Sequence, residues 1–128
     1  MWAGDRTHDV EQYKTAIRNL SPYKEKNSIL RMRFDEALNL FDNEFFDFIY
    51  VDGYAHTGEE DGKTFKDWFP KLKSGGIFAG DDYDPGRPLV VEQVDKFITD
   101  NNLTLHVIDC RENTDPYSRS PSWLAIKK

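Results

Sequence analysis

Three carboxylates, Asp52, Asp81 and Asp82, stand where two apolar runs end. The first run is Phe46-Asp47-Phe48-Ile49-Tyr50-Val51, followed by Asp52-Gly53. The second is Ile77-Phe78-Ala79-Gly80, preceded by Gly75-Gly76 and followed by Asp81-Asp82-Tyr83. Short runs of β-branched, aromatic and aliphatic residues predict strands buried on both faces. In an open α/β sheet the ligand crevice lies at the carboxyl ends of the strands. Two neighbouring strands of this kind aim all three acids at one place. Three like charges close together repel unless a cation joins them. The plainer reading is that Asp81 and Asp82 cap a loop and Asp52 caps the next helix. Tyr54 and Tyr83 sit beside the acids, either lining an aromatic or sugar substrate pocket or standing half-exposed in loops.

Composition narrows the classes. The chain has 128 residues, 31% charged and 38% hydrophobic, with three Trp, six Tyr and nine Phe. That is the composition of one globular domain with a single core. A net charge of −6 and the lack of a Lys/Arg run argue against a nucleic-acid partner. The single cysteine, Cys110, has no internal partner, which predicts a reducing compartment, the cytoplasm. No stretch of about 18 apolar residues and no signal peptide is present, so no membrane association is expected.

The elements that must position the acids follow from periodicity. Val10, Tyr13, Ile17 and Leu20 predict a helix with one apolar face, stopped by Ser21-Pro22. Ser28 to Arg33 reads as a short strand, and Asp35 caps a short helix through Leu40. After the strand Phe45 to Val51, a helix is expected from about Glu59 to Leu72, with Phe65, Trp68, Phe69 and Leu72 on its core face. Its first turn is weakened by Gly62, and Ser74-Gly75-Gly76 ends it. Leu89, Val90, Val94, Phe97 and Ile98 mark another helix. Leu103 to Asp109 and Trp123 to Ile126 predict two final strands paired antiparallel, with His106 facing solvent. Alternating helices and strands of this kind indicate an α/β fold. Gly62-Lys63-Thr64 superficially matches the end of a phosphate loop, but the Gly58–Gly62 spacing is one short and Glu59-Glu60-Asp61 repel phosphate.

These residues resemble the second half of a class I S-adenosylmethionine-dependent methyltransferase of the small-molecule O-methyltransferase type. The match lies in Phe46-Asp47-Phe48-Ile49-Tyr50-Val51-Asp52-Gly53, His56, and Trp68-Phe69-Pro70-Lys71-Leu72-Lys73-Ser74-Gly75-Gly76-Ile77-Phe78-Ala79-Gly80-Asp81-Asp82-Tyr83, in family order. Trp2-Ala3-Gly4-Asp5 is similar to the end of the family's second strand, and Val91, Val94 and Phe97 resemble its later helix. The resemblance implies an incomplete Rossmann-like methyltransferase core, a single domain over 1–128, mostly parallel with a C-terminal antiparallel strand pair. It implies S-adenosylmethionine as cofactor and a small-molecule hydroxyl as methyl acceptor. It implies Mg²⁺ held by Asp52, Asp81 and Asp82, where it would lower the pKa of the hydroxyl. It also assigns His56, with Asp52, a catalytic role, His56 being either a general base or a loop histidine bonded to a backbone carbonyl.

The departures carry equal weight. No Gly-x-Gly occurs, so the loop that wraps the methionine part of the cofactor has no counterpart, and no cofactor-binding residue can be named. The ribose-binding acid would fall at or before Met1, and Phe34 stands where the family often has a small polar residue near the adenine. The usual first strand, first helix and second strand are expected to be absent, leaving strand edges for a homo-oligomer to cover. Two rival readings therefore stand beside the methyltransferase. One is a non-catalytic relative acting as an interaction or oligomerisation module. The other is a metal-dependent phosphoesterase built on the same three acids.

Overall fold

The structure is a computed structural model that describes residues 6–52, 60–109, 112 and 120–128, with side chains from residue 10 onward. The chain divides into two compact units, Met1–Arg33 and Phe34–Lys128. In the first, helix α1 spans Arg6–Leu20. Ser21-Pro22 ends it as predicted, by tightening into a 3₁₀ turn over Ser21–Tyr23 with the proline in its first turn. Asn27 ties that end down by donating from Nδ2 to the carbonyls of Leu20 and Tyr23 at 3.2 and 2.5 Å. The strand expected at Ser28 to Arg33 does not form. No described strand pairs with it, and a strand requires a ladder to satisfy its backbone. The segment instead closes a local bond from the Met32 N–H to the Leu30 carbonyl and lays the Arg31 guanidinium 4.6 Å from the Tyr13 ring centre.

The second unit is a four-stranded mixed sheet with its helices packed on one face. In chain order it comprises α2 (Phe34–Ala37), β1 (Phe46–Val51), α3 (Lys63–Trp68), β2 (Leu72–Gly80), α4 (Pro88–Asp100), β3 (His106–Ile108) and β4 (Ser122–Ile126). The strand order is β1-β2-β4-β3. The β1/β2 pair is parallel, as a crossover through α3 requires. β4 enters between β2 and β3 and runs antiparallel to both, so the expected terminal antiparallel pair is present and is stitched onto the parallel one. α3 is shorter than its apolar pattern suggested. It begins at Lys63, after Gly62 takes φ +68°, and the Glu60 carboxylate accepts the Thr64 N–H at 3.0 Å. Gly75-Gly76, expected to separate helix from strand, lies inside β2. There Gly75 donates to the Lys127 carbonyl at 2.7 Å and Lys127 donates back to Gly76 at 2.9 Å.

The core holds Val51, Phe65, Leu72, Phe78, Val90, Val94, Phe97 and Trp123. On α4 the buried positions are Val90, Gln93, Val94 and Phe97, one helical stripe. Phe65 and Phe97 pack against Trp123 with ring centres 5.4 and 6.2 Å apart. Trp68 and Phe69, expected in the core, pack against it. His106 is exposed as expected, but so are Val107 and Ile108, so β3 shows no alternation of burial.

β1 is not buried on both faces. Phe48 and Tyr50 are 54% and 44% exposed, and their rings stack with centres 6.4 Å apart. The helices that supply the core cover the other face, on which Val51 and Phe78 lie. An apolar run therefore reads as doubly buried whether one layer of helices or two is present. Among the described residues Phe48, Tyr50, Ile108 and Ile126 make an open apolar side of the sheet.

Candidate active site

The register of the parallel pair builds the site. Tyr50 lies opposite Ala79 and Val51 opposite Gly80, so Asp52 and Asp81 leave the sheet side by side. The parallel order thus does what the two acid-ended runs implied. It does not bring all three carboxylates to one point. Asp81 belongs to the open side, where it accepts a hydrogen bond from the Ser122 hydroxyl at 3.3 Å. Ser122 Oγ is also 3.1 Å from the Tyr50 hydroxyl. Since Ser122 has one proton and gives it to Asp81, Tyr50 donates to Ser122, and the three form a directed chain, Tyr50 to Ser122 to Asp81. Burial, and then the charges of Asp81, Asp52 and Asp82, hold the Tyr50 phenol above its ordinary range. Hydrogen bonding with Ser122, which can turn to donate to a phenolate, opposes them.

Asp82 is held by a different partner, Arg87. It is 7% exposed, has φ +59°, and pairs with Arg87 at 3.1 Å from Nη1 to Oδ2. A buried carboxylate is stable only with such compensation. The turn that brings Arg87 back is closed by its own bonds. Asp84 donates its N–H to the Asp82 carbonyl at 2.8 Å, and the Asp84 carboxylate takes the Gly86 N–H at 2.7 Å. Arg87 donates its N–H to the Asp84 carbonyl at 2.8 Å, and Pro88 opens α4. Asp52 is exposed at the end of β1. Among the described residues no group of three or more His, Cys, Asp or Glu side chains is arranged to hold a metal ion.

His56 and Tyr54 lie outside the described residues, as does Cys110. Tyr83 is half-buried against the core, and its hydroxyl donates to Asp95 of α4 at 2.8 Å. Burial first and the Asp95 bond second raise its pKa above the usual value of about 10. The sign follows. A raised tyrosine pKa adds stability that is complete below about pH 10 and is lost as pH rises through the folded-state value. Asp95→Asn is expected to move the Tyr83 titration toward its ordinary midpoint. The check is tyrosinate absorbance, with Tyr83→Phe as the blank; an unchanged midpoint would refute the assignment.

Sequence reasoning missed Tyr50, Ser122 and Arg87. In the sequence Tyr50 is one of five apolar residues in its run, Ser122 borders a polar stretch, and Arg87 lies among Asp84-Pro85-Gly86 and Pro88, residues typical of turns. One signal was available for Arg87: a basic residue five positions after a carboxylate, with Pro85-Gly86 between to turn the chain. Nothing local marked Ser122, which meets its partners across 72 and 41 residues of chain.

The family described as a methyltransferase domain matches residues 3–83. No curated protein matches the chain. Among solved structures, a candidate O-methyltransferase from Klebsiella pneumoniae is similar with a TM-score of 0.62 at 16% identity, over 91% of this chain and 57% of that one. A candidate exported protein from Bordetella parapertussis gives 0.59 at 16% identity, over 91% and 50%. The O-methyltransferase TomG from Streptomyces achromogenes, involved in tomaymycin synthesis and solved in complex with SAM, gives 0.51 at 18% identity, over 75% and 47%. At these identities the likeness is one of fold. The chain spans about half the length of these structures.

Proposed function

The chain belongs to the methyltransferase-domain family, of the class I S-adenosylmethionine-dependent type, and from that premise we propose that it serves methyl transfer to a hydroxyl oxygen of a small molecule. The observation that carries this reading is the parallel β1/β2 pair, whose adjacent carboxyl ends deliver Asp52 and Asp81 to the crevice position of an α/β sheet. When bound, S-adenosylmethionine would supply the methyl group, with S-adenosylhomocysteine as the leaving group. The acceptor oxygen forms the new bond and its proton must go to a base. We assign that role to Asp52, exposed at the end of β1, alone or through His56. The Tyr50–Ser122–Asp81 chain orients polar groups at the same edge, and positioning is the main source of rate in such a transfer. Tyr83 and Tyr54 would then flank the acceptor, Tyr83 with its hydroxyl tied to Asp95.

The Mg²⁺ that the resemblance implies needs Asp52, Asp81 and Asp82 on one ion. In this structure Asp82 is engaged by Arg87, and the described acids do not gather for a metal. Our proposal therefore routes no step through a metal. The cytoplasmic assignment rests on the one-cysteine composition, and no described helix is long and apolar enough to cross a membrane.

A second reading, the interaction module, is favoured by the open apolar side formed by Phe48, Tyr50, Ile108 and Ile126. On that reading a second copy of the chain covers the sheet. One sample separates the two. Isothermal titration with S-adenosylmethionine and S-adenosylhomocysteine is expected to show one site at micromolar to millimolar affinity. Silence at millimolar cofactor, together with a dimer mass by light scattering, would transfer support to the interaction module.

A further inference from the structure

We propose that Arg87 is the resident cation of the acid cluster, holding on Asp82 the place that a divalent ion would need. This deepens the methyltransferase reading and rests on taking the cluster as its chemical end. Three observations carry it. Asp82 is buried with its carboxylate against Arg87, so its charge is already balanced. The turn from Asp82 to Arg87 is closed by hydrogen bonds at 2.8, 2.7 and 2.8 Å and ends on the proline that starts α4. The turn thus fixes the backbone position from which the half-exposed Arg87 side chain reaches Asp82. Asp81 accepts from Ser122 while Asp82 pairs with Arg87, so the adjacent acids of one dipeptide serve two different partners.

The chemistry favours the arginine. Guanidinium is charged at every physiological pH and its planar fork suits a carboxylate. Mg²⁺ loses its waters reluctantly and wants near-octahedral oxygen ligands. To recruit Asp82 it would have to compete with Arg87 for the same carboxylate. Arg87 therefore acts on the site by positioning: it keeps Asp82 out of the ligand set and sets the local charge without a metal.

The test uses Mn²⁺ as the probe, read by the free-ion electron paramagnetic resonance signal and by calorimetry. It needs no cofactor, so its outcome is independent of whether S-adenosylmethionine binds. Wild type and Arg87→Lys are expected to bind Mn²⁺ weakly. Arg87→Gln removes this ion pair and is expected to bind Mn²⁺ roughly tenfold more tightly, the equivalent of one pK unit of interaction. Adding Asp82→Asn to Arg87→Gln is expected to remove that gain. Circular dichroism melts show that each variant is folded, and Arg87→Lys keeps the comparison usable if Arg87→Gln is not. Equal affinities in wild type and Arg87→Gln would overturn the proposal. So would tight Mn²⁺ binding by wild type or Arg87→Lys that Asp82→Asn abolishes, because Asp82 would then be a ligand with the cation still beside it.

Discussion

Trp123→Ala is expected to lower folding stability by about 3–5 kcal/mol. Trp123 is 1% exposed and is the largest fully buried side chain among the described residues. Its ring contacts Phe65, Phe78 and Phe97, which themselves hold α3, β2 and α4 together. Removing it leaves a cavity at the point where β4 meets both helices. The surrounding rings belong to different elements and cannot close over it without moving the sheet. Globular domains have about 5–15 kcal/mol of stability in all, so the loss is a large fraction of the total. Urea denaturation followed by far-UV circular dichroism measures it. A midpoint shift worth less than about 1 kcal/mol, the size of an average point mutation, would show that Trp123 is not central to the core.

Gly80→Ala is expected to cost about 1–3 kcal/mol through overpacking. A Cβ at Gly80 would lie 2.7 Å from Trp123 Nε1 and 3.0 Å from Cε2. The neighbour is the body of a buried ring, not the tip of a flexible chain, so it cannot give way cheaply. The same indole N–H has no hydrogen-bond partner among the described residues. Trp123→Phe removes that orphaned donor and makes room at Gly80. The two changes should therefore couple: Gly80→Ala is expected to cost at least about 0.5 kcal/mol less in the Trp123→Phe background than in wild type, since residues in contact depart from additivity by this much. A double-mutant cycle from denaturation midpoints gives the number. Strict additivity would show that the close approach is relieved by some other movement. Gly80 immediately precedes Asp81, so this contact also determines where the acids leave the sheet.

The family membership of this chain was legible in residues that sit close together in sequence. Asp52 with its apolar run, and Gly75 to Tyr83 with theirs, form a pattern that needs no partner to be read. The stripe Val90, Val94, Phe97 likewise reports a helix with one buried face, and α4 buries those residues. Periodicity works for these elements because the backbone repeat itself decides which side chains share a face.

Other features are decided between elements. β4 inserts beside β2 and places Ser122 against Tyr50 and Asp81, and no local signal encodes a pairing across so much chain. Gly75-Gly76 has the composition of a terminator, yet its carbonyls and N–H groups find Lys127, so the ladder overrides the propensity. Phe48 and Tyr50 look identical to core residues in a list of hydropathies. Their exposure depends on which side of the sheet the described helices cover. By itself, then, the sequence determined the acid-ended strands, the helical stripes and the family. The tertiary structure alone decided that Asp81 and Asp82 part company, one to Ser122 and one to Arg87, because hydrogen bonds and ion pairs are made in space, by whichever partner the fold brings within about 3 Å.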